Sequence, residues 1–263
     1  MFLHNKRMMY TVRVDQPDPQ FGKLLLEQFG GPNGELAAAM RYFTQAWADP
    51  DPARRDMLLD IATEELSHLE MVGQTIVQLL KGSPGAMVDE VEGGYLGQLM
   101  EGKHEKFVEM STALNSGPVL LGGGGPRLTD SMGTPWTAAY IDTLGQPTAD
   151  LRSDIAAEAR AKIVYERLIK LCDDSSCRDT LNFLMTREIA HQKMFEAALA
   201  AITPNFPPGN LPGSDKLAHV YVKDSSDGQA AADEGYRLAT TASDFGFELE
   251  KDPVARASQT GTL

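Results

Sequence analysis

Two short motifs in the sequence could bind a metal ion: Glu65-Leu66-Ser67-His68 and Glu188-Ile189-Ala190-His191. In an α-helix, residues three apart share a face, so each motif directs a carboxylate and an imidazole to one point. The flanking positions on these faces are apolar: Ile61, Val72 and Ile76 in the first motif, and Leu184 and Phe195 in the second. An unpaired carboxylate in an apolar core costs several kcal/mol, which a divalent metal ion would offset. The motifs therefore predict a buried metal site.

The two motifs belong to a longer repeat. Glu188 lies 123 residues after Glu65, and five further pairs of identical residues share this offset. These pairs are Glu35 and Glu158, Tyr42 and Tyr165, Thr63 and Thr186, His68 and His191, and Met71 and Met194. The register indicates an internal duplication, in which two helix hairpins pair around a pseudo-twofold axis. Four carboxylates and two imidazoles would then meet, which is the ligand set of a dinuclear carboxylate bundle.

Two observations qualify this pattern. A third Glu-x-x-His, Glu101-Gly102-Lys103-His104, has no counterpart at the 123-residue offset and is interpreted as a coincidence. Tyr42 and Tyr165 each follow their glutamate by seven residues, about two helical turns, so each projects to the same side as that glutamate. Each hydroxyl could orient a ligand carboxylate, or each ring could only pack in the core.

Helical periodicity predicts an all-α protein with four main helices. Residues 17–48 are predicted to be helix broken at Gly30-Gly31-Pro32, with Asn33 capping the segment that follows. A long helix is expected over about 53–80, and two more over about 148–171 and, after a turn at 173–176, to about 202. The predicted organisation is an N-terminal segment, a bundle with a long crossover, and a tail that could not bury a core alone. These parts span residues 1–16, 17–202 with the crossover at 81–147, and 203–263.

Composition excludes several classes of protein. With 37 acidic and 24 basic side chains, the formal charge of −13 argues against binding to nucleic acid or to a membrane surface. No run approaches the roughly 20 apolar residues of a membrane span, and no signal-peptide core is present, so the expected location is the cytoplasm. Cys172 and Cys177 are too few for a disulfide scaffold and are expected to be free thiols.

Four segments together resemble the manganese catalases, the non-haem catalases of the ferritin-like superfamily: residues 30–36, 62–68, 154–160 and 188–191. The resemblance implies a ferritin-like four-helix bundle that disproportionates hydrogen peroxide to water and dioxygen. It also implies a bridged pair of manganese ions in each subunit, moving between divalent and trivalent pairs. The manganese assignment rests on the family, because carboxylate and imidazole ligands suit iron equally well.

The resemblance assigns roles to individual residues. The implied manganese ligands are Glu35, Glu65, His68, Glu158 and His191, with Glu65 as the bridge. Sequence symmetry alone would make Glu188 a sixth ligand, whereas its position in the family is that of a proton relay. The resemblance also favours Tyr42 as a residue that orients a ligand carboxylate.

The family further implies a structural calcium and a homohexamer. The residues that resemble the calcium site are Asp56, Asp60, Asp224, Ser226 and Gly228. For Asp56 and Asp60, a solvated helix face is the ordinary alternative. The crossover and the tail are expected to lie on neighbouring subunits and to narrow access to the site. Two other functions remain open: a di-iron oxidase or peroxidase of the ferritin-like type, and a non-enzymatic coat protein related to the family.

Overall fold

The described residues of this computed structural model are His4, residues 6–81 and 124–205, Gly209 and Leu211. They contain six α-helices and one short 3-10 helix, Ala138–Tyr140, and an isolated bridge between Thr129 and Pro135 is their only β pairing. The α-helices are α1 (Pro19–Leu24), α2 (Leu26–Phe29), α3 (Glu35–Ala46), α4 (Pro52–Leu79), α5 (Pro147–Leu171) and α6 (Ser175–Ala200). The predicted all-α class is confirmed. None of the described helices is long and apolar enough to cross a membrane.

The chain divides into two compact units, Met1–Ala201 and Ile202–Leu263. All six helices belong to the first unit. Of the second unit, the structure describes residues 202–205, 209 and 211. Most of the predicted crossover and tail therefore lies outside the described residues.

The first unit is a four-helix bundle made of two hairpins. Helix α3 packs along α4 in one hairpin, and α5 packs along α6 in the other. The two hairpins contact each other. Helix α4 has 28 residues, which at 1.5 Å per residue is a length of about 42 Å. A hydrophobic core joins α4, α5 and α6 with the N-terminal helices and includes Leu25, Met71, Ile76, Leu181 and Leu184. Cys172 and Cys177 are buried and are free thiols, as predicted.

Side-chain caps set where the long helices begin. Asp51 accepts a hydrogen bond of 3.0 Å from the Arg54 amide at the start of α4, and Pro52 is the first helical residue. Asp174 accepts one of 2.8 Å from the Cys177 amide at the start of α6. These caps fix the register of α4 and α6, the two helices that carry the Glu-x-x-His motifs.

The predicted N-cap of α3 was wrong. The cap is Gly34, without a side-chain hydrogen bond, whereas the Asn33 side chain accepts a hydrogen bond of 3.0 Å from Arg160 Nε. A Cβ on Gly34 would lie 2.7 Å from the backbone carbonyl of Gln28, so the close approach of these two segments requires glycine. Glu35 is consequently the first residue of α3, at the end where the helix dipole favours a negative charge.

Candidate metal centre

Six ionisable side chains converge inside the bundle. Helix α3 contributes Glu35, α4 contributes Glu65 and His68, α5 contributes Glu158, and α6 contributes Glu188 and His191. Each of the six is at most 2% exposed. The structure therefore brings together all the residues that the 123-residue repeat predicts to meet.

The six side chains form two overlapping groups, each able to hold a metal ion. One group contains Glu35, Glu65, His68 and Glu188, and the other contains Glu65, Glu158, Glu188 and His191. Within each group, the candidate ligand atoms lie within 4.8 Å of one another. Glu65 and Glu188 belong to both groups, so the arrangement suits two adjacent ions.

Glu65 lies between the two imidazoles. Its Oε2 is 2.9 Å from Nδ1 of His68, and its Oε1 is 2.7 Å from Nδ1 of His191. The two rings are nearly parallel, with centroids 5.6 Å apart and an interplanar angle of 22°. On the outer sides, Glu35 Oε2 is 3.6 Å from Nδ1 of His68, and Glu158 Oε1 is 3.9 Å from Nδ1 of His191. This is the placement expected of a bridging carboxylate with one further carboxylate at each end.

Two buried tyrosines hold the outer carboxylates. Tyr42 donates a hydrogen bond to Glu158, and Tyr165 donates one to Glu35. Each hydroxyl thus reaches the glutamate of the other hairpin rather than the one seven residues before it. For Tyr165 the sequence left open whether the hydroxyl orients a carboxylate or the ring only packs in the core, and the structure shows the hydrogen bond to Glu35.

Burial and mutual repulsion shape the ionisation of the carboxylates. Burial and the charge of Glu65 raise the pKa of Glu35 to about 8, and the same two causes raise the pKa of Glu158. Burial, with Glu35 and Glu65 nearby, raises the pKa of Glu188 well above its ordinary value. Burial also disfavours the charge on Glu65, but contacts with His68 and His191 outweigh it and lower the pKa. The raised pKa values follow from placing four carboxylates in one buried cluster with two imidazoles.

Several atoms of the cluster are buried without a hydrogen-bond partner among the described residues. These are Oε2 of Glu35, Oε1 of Glu65, Oε2 of Glu158, Oε1 of Glu188, Nε2 of His68, and both ring nitrogens of His191. His191 Nδ1 is close to Glu65, but not in hydrogen-bond geometry. An unpaired buried polar atom typically costs about 1–3 kcal/mol. Oxygen and imidazole donors of this kind suit a divalent first-row transition metal, so the residues present fit a pair of such ions.

The predicted calcium residues are only partly described. Asp56 and Asp60 lie exposed on α4, and neither belongs to a group of three or more metal-ligating side chains in the described part of the chain. Asp224, Ser226 and Gly228 lie outside the described residues.

The repeat did not reveal two charged residues next to the site. Glu64 and Arg187 immediately precede Glu65 and Glu188, and they form an ion pair with a distance of 2.6 Å between Arg187 Nε and Glu64 Oε1. The two residues correspond at the 123-residue offset but differ in type. A search of the repeat for identical residues therefore does not identify them.

The chain is similar over most of its length to proteins of one family. Residues 1–254 match the family model described as manganese containing catalase. A probable manganese catalase from Clostridium acetobutylicum is 42% identical over 201 residues, which cover 76% of this chain and 80% of that protein. A manganese catalase from Bacillus subtilis is 30% identical over 264 residues, which cover 96% of this chain and 91% of that protein.

A solved structure agrees with the sequence comparisons. The crystal structure of KatB, a manganese catalase from Anabaena, matches with a TM-score of 0.69 and 39% sequence identity. The match covers 86% of this chain and 93% of the KatB chain. The duplicated carboxylate and histidine cluster, the helical bundle that holds it and these similarities agree, and the chain belongs to the family of manganese-containing catalases.

Proposed function

We propose that the buried centre holds two manganese ions per chain and that hydrogen peroxide is disproportionated there. Membership of the family establishes the reaction, in which two molecules of peroxide give two of water and one of dioxygen. The proposed location rests on the position of the Glu65 carboxylate. One of its oxygens lies close to Nδ1 of His68, and the other lies close to Nδ1 of His191. In this proposal, Glu65 would contribute a ligand oxygen to each ion.

The remaining ligands follow from the two overlapping groups. Glu35 and His68 would complete one site, and Glu158 and His191 the other. When bound, the two ions store the two electrons that one peroxide gives up on oxidation and another takes up on reduction. Tyr42 and Tyr165 hold the outer carboxylates in place through their hydrogen bonds.

Glu188 is proposed as the proton carrier. Reduction of peroxide to two waters takes up two protons, and its oxidation to dioxygen releases two. Glu188 belongs to both ligand groups, its Oε1 has no hydrogen-bond partner in the described part of the chain, and that oxygen is 3.7 Å from Nδ1 of His68. A carboxyl group so placed can accept and return protons beside both ions.

Purified protein tests the proposed site directly. Metal analysis is expected to find close to two manganese ions per chain. An oxygen electrode is expected to record dioxygen release from peroxide, and the absorption spectrum should show no haem Soret band. Iron in place of manganese, or activity in protein that contains neither metal, would contradict the proposal.

Substitution of either buried tyrosine is expected to weaken metal binding. Tyr42→Phe frees Glu158, and Tyr165→Phe frees Glu35, without changing the size of the ring. Loss of a group that orients a ligand typically lowers metal affinity about 10- to 100-fold. Competition with a chelator would measure the affinity. Tyr10→Phe is the matched control, because the Tyr10 ring stacks on Phe183 in another part of the core; wild-type affinity in both site variants would contradict the proposed role.

Metal removal is expected to lower thermal stability. Ions that bind only the folded protein stabilise it by about 2.7 kcal/mol at 100 times their Kd. For a helical unit of this size, that corresponds to a rise in Tm of about 5–10 °C. Scanning calorimetry of the protein with manganese and after dialysis against EDTA would measure the shift. An unchanged Tm would contradict the proposal that bound ions stabilise the folded protein through the buried cluster.

Three further proposals rest on the resemblance of the sequence to the family. They are a structural calcium held by Asp56, Asp60, Asp224, Ser226 and Gly228, a homohexamer, and a location in the cytoplasm. Measuring whether calcium is retained after manganese is exchanged would test the calcium site. A sedimentation velocity run would test the homohexamer. A monomer in solution, or protein without calcium, would contradict the corresponding proposal.

A further inference from the structure

We propose that Glu64 positions both imidazoles of the metal centre and that Arg187 holds Glu64 in place. The inference rests on the proposed function, because it assumes that Nδ1 of each histidine faces a metal ion. It adds a single carboxylate, outside the ligand set, that both sites share.

Glu64 and Glu65 face opposite edges of the two rings. Glu64 Oε1 is 3.4 Å from Nε2 of His68, and Glu64 Oε2 is 3.3 Å from Nε2 of His191. Glu65 approaches the Nδ1 atoms of the same rings. Among the described residues neither Nε2 makes a hydrogen bond in good geometry, and the two Glu64 oxygens are acceptors that lie beside them. One carboxylate is therefore the common acceptor that the structure offers to both rings.

Arg187 fixes the Glu64 carboxylate with two contacts. Its Nε donates to Oε1 at 2.6 Å, and its Nη2 donates to Oε2 at 3.2 Å. The side chains of Glu64 and Arg187 are 21% and 33% exposed, so the pair is partly shielded from water. A forked contact of this kind restricts rotation of the carboxylate as well as its position.

The pair also explains how a duplicated site can share one acceptor. Residues 64 and 187 are equivalent in the repeat, and their side chains meet in the bundle. Two glutamates at these positions would place like charges against each other. An arginine at position 187 turns that contact into an ion pair, which leaves one carboxylate to serve both histidines.

The chemical consequence concerns the tautomer of each imidazole. A ring that donates its Nε2 hydrogen to Glu64 keeps the lone pair of Nδ1 free for a metal ion. A nearby carboxylate also makes the imidazole a stronger donor to the metal. Glu64 would thereby orient both rings while contacting neither ion.

Glu64→Gln tests this role. Each ring faces a different oxygen of Glu64. Glutamine replaces one of these oxygens by an NH2 group, so it presents an acceptor to only one of the two rings. We expect manganese binding, followed by chelator competition, to separate into one class with near wild-type affinity and one about 10- to 100-fold weaker. Wild-type affinity for both ions in Glu64→Gln would overturn the role of Glu64 and leave the proposed function intact. A wild-type protein that binds no manganese would overturn the proposed function and this role with it.

Two further variants separate positioning from general stability. Glu166→Gln makes the same chemical change at a carboxylate that contacts Lys162 and Lys170 on α5, and it should bind both ions as the wild type does. Glu64→Arg combined with Arg187→Glu moves the carboxylate to the equivalent position on α6. We expect this exchange to restore a single class of sites within a few-fold of wild-type affinity. An exchanged protein that binds no better than Glu64→Gln would contradict the shared position of the carboxylate.

Discussion

Replacement of Glu65 by alanine is expected to abolish both manganese binding and peroxide turnover. The two Glu65 oxygens lie 2.9 and 2.7 Å from Nδ1 of His68 and His191, so the substitution removes the bridge and one ligand from each proposed site. Each ion would retain one outer glutamate and one histidine. Because the reaction requires the electrons stored by the ions, turnover should fall by about 10³-fold or more. Metal analysis and an oxygen electrode would measure the two losses.

Glu70→Ala is the matched control for this experiment. Glu70 lies on the same helix, is exposed, and contacts His4 rather than the buried cluster. It should retain two ions and normal turnover. Circular dichroism would confirm that the Glu65 variant keeps its helices. A folded Glu65→Ala protein with full activity would disprove the proposed bridge.

Replacement of Glu188 by glutamine should separate metal binding from proton transfer. The amide preserves the shape of the side chain but does not carry the proton, so both ions should remain bound. Proton transfer by a positioned side chain typically contributes 10²- to 10⁴-fold, and we expect kcat to fall within that range. Metal analysis and steady-state oxygen release on the same sample would show both effects.

The outcome of this experiment distinguishes two roles for Glu188. Loss of manganese would make Glu188 a ligand, as the symmetry of the repeat predicts. Retention of manganese with slow turnover would support the proton carrier. Glu196→Gln, at an exposed position on the same helix, should leave both properties unchanged. Unchanged turnover in Glu188→Gln would place the proton carrier elsewhere.

The sequence contained most of the information needed for the fold and for the cluster of candidate ligands. The repeat at an offset of 123 residues predicted that six side chains would meet, and the structure brings all six together. The prediction succeeded because helical spacing ties each glutamate to its histidine, and the apolar neighbours show which face is buried. The resemblance to the manganese catalases is confirmed by the family match over residues 1–254.

Predictions about partners of individual side chains were less successful. Asn33 has the residue type of an N-cap, but the contact between the Gly34 and Gln28 backbones made Gly34 the cap instead. The prediction that the Tyr42 hydroxyl could orient a candidate ligand carboxylate left the partner unnamed, and the structure shows that it is Glu158 on the other hairpin. Both contacts depend on how segments distant in sequence approach each other, which the spacing within one helix does not specify.

The sequence by itself determined the helices, the buried faces and the identity of the candidate ligands, because these depend on spacing within one helix. Only the tertiary structure decided which atoms face one another across the hairpins. It placed Glu65 between the Nδ1 atoms of the two histidines and Glu64 beside their Nε2 atoms, although the two glutamates are adjacent in sequence. Neighbouring helical residues point about 100° apart, so the position of the second hairpin determines what each of them meets.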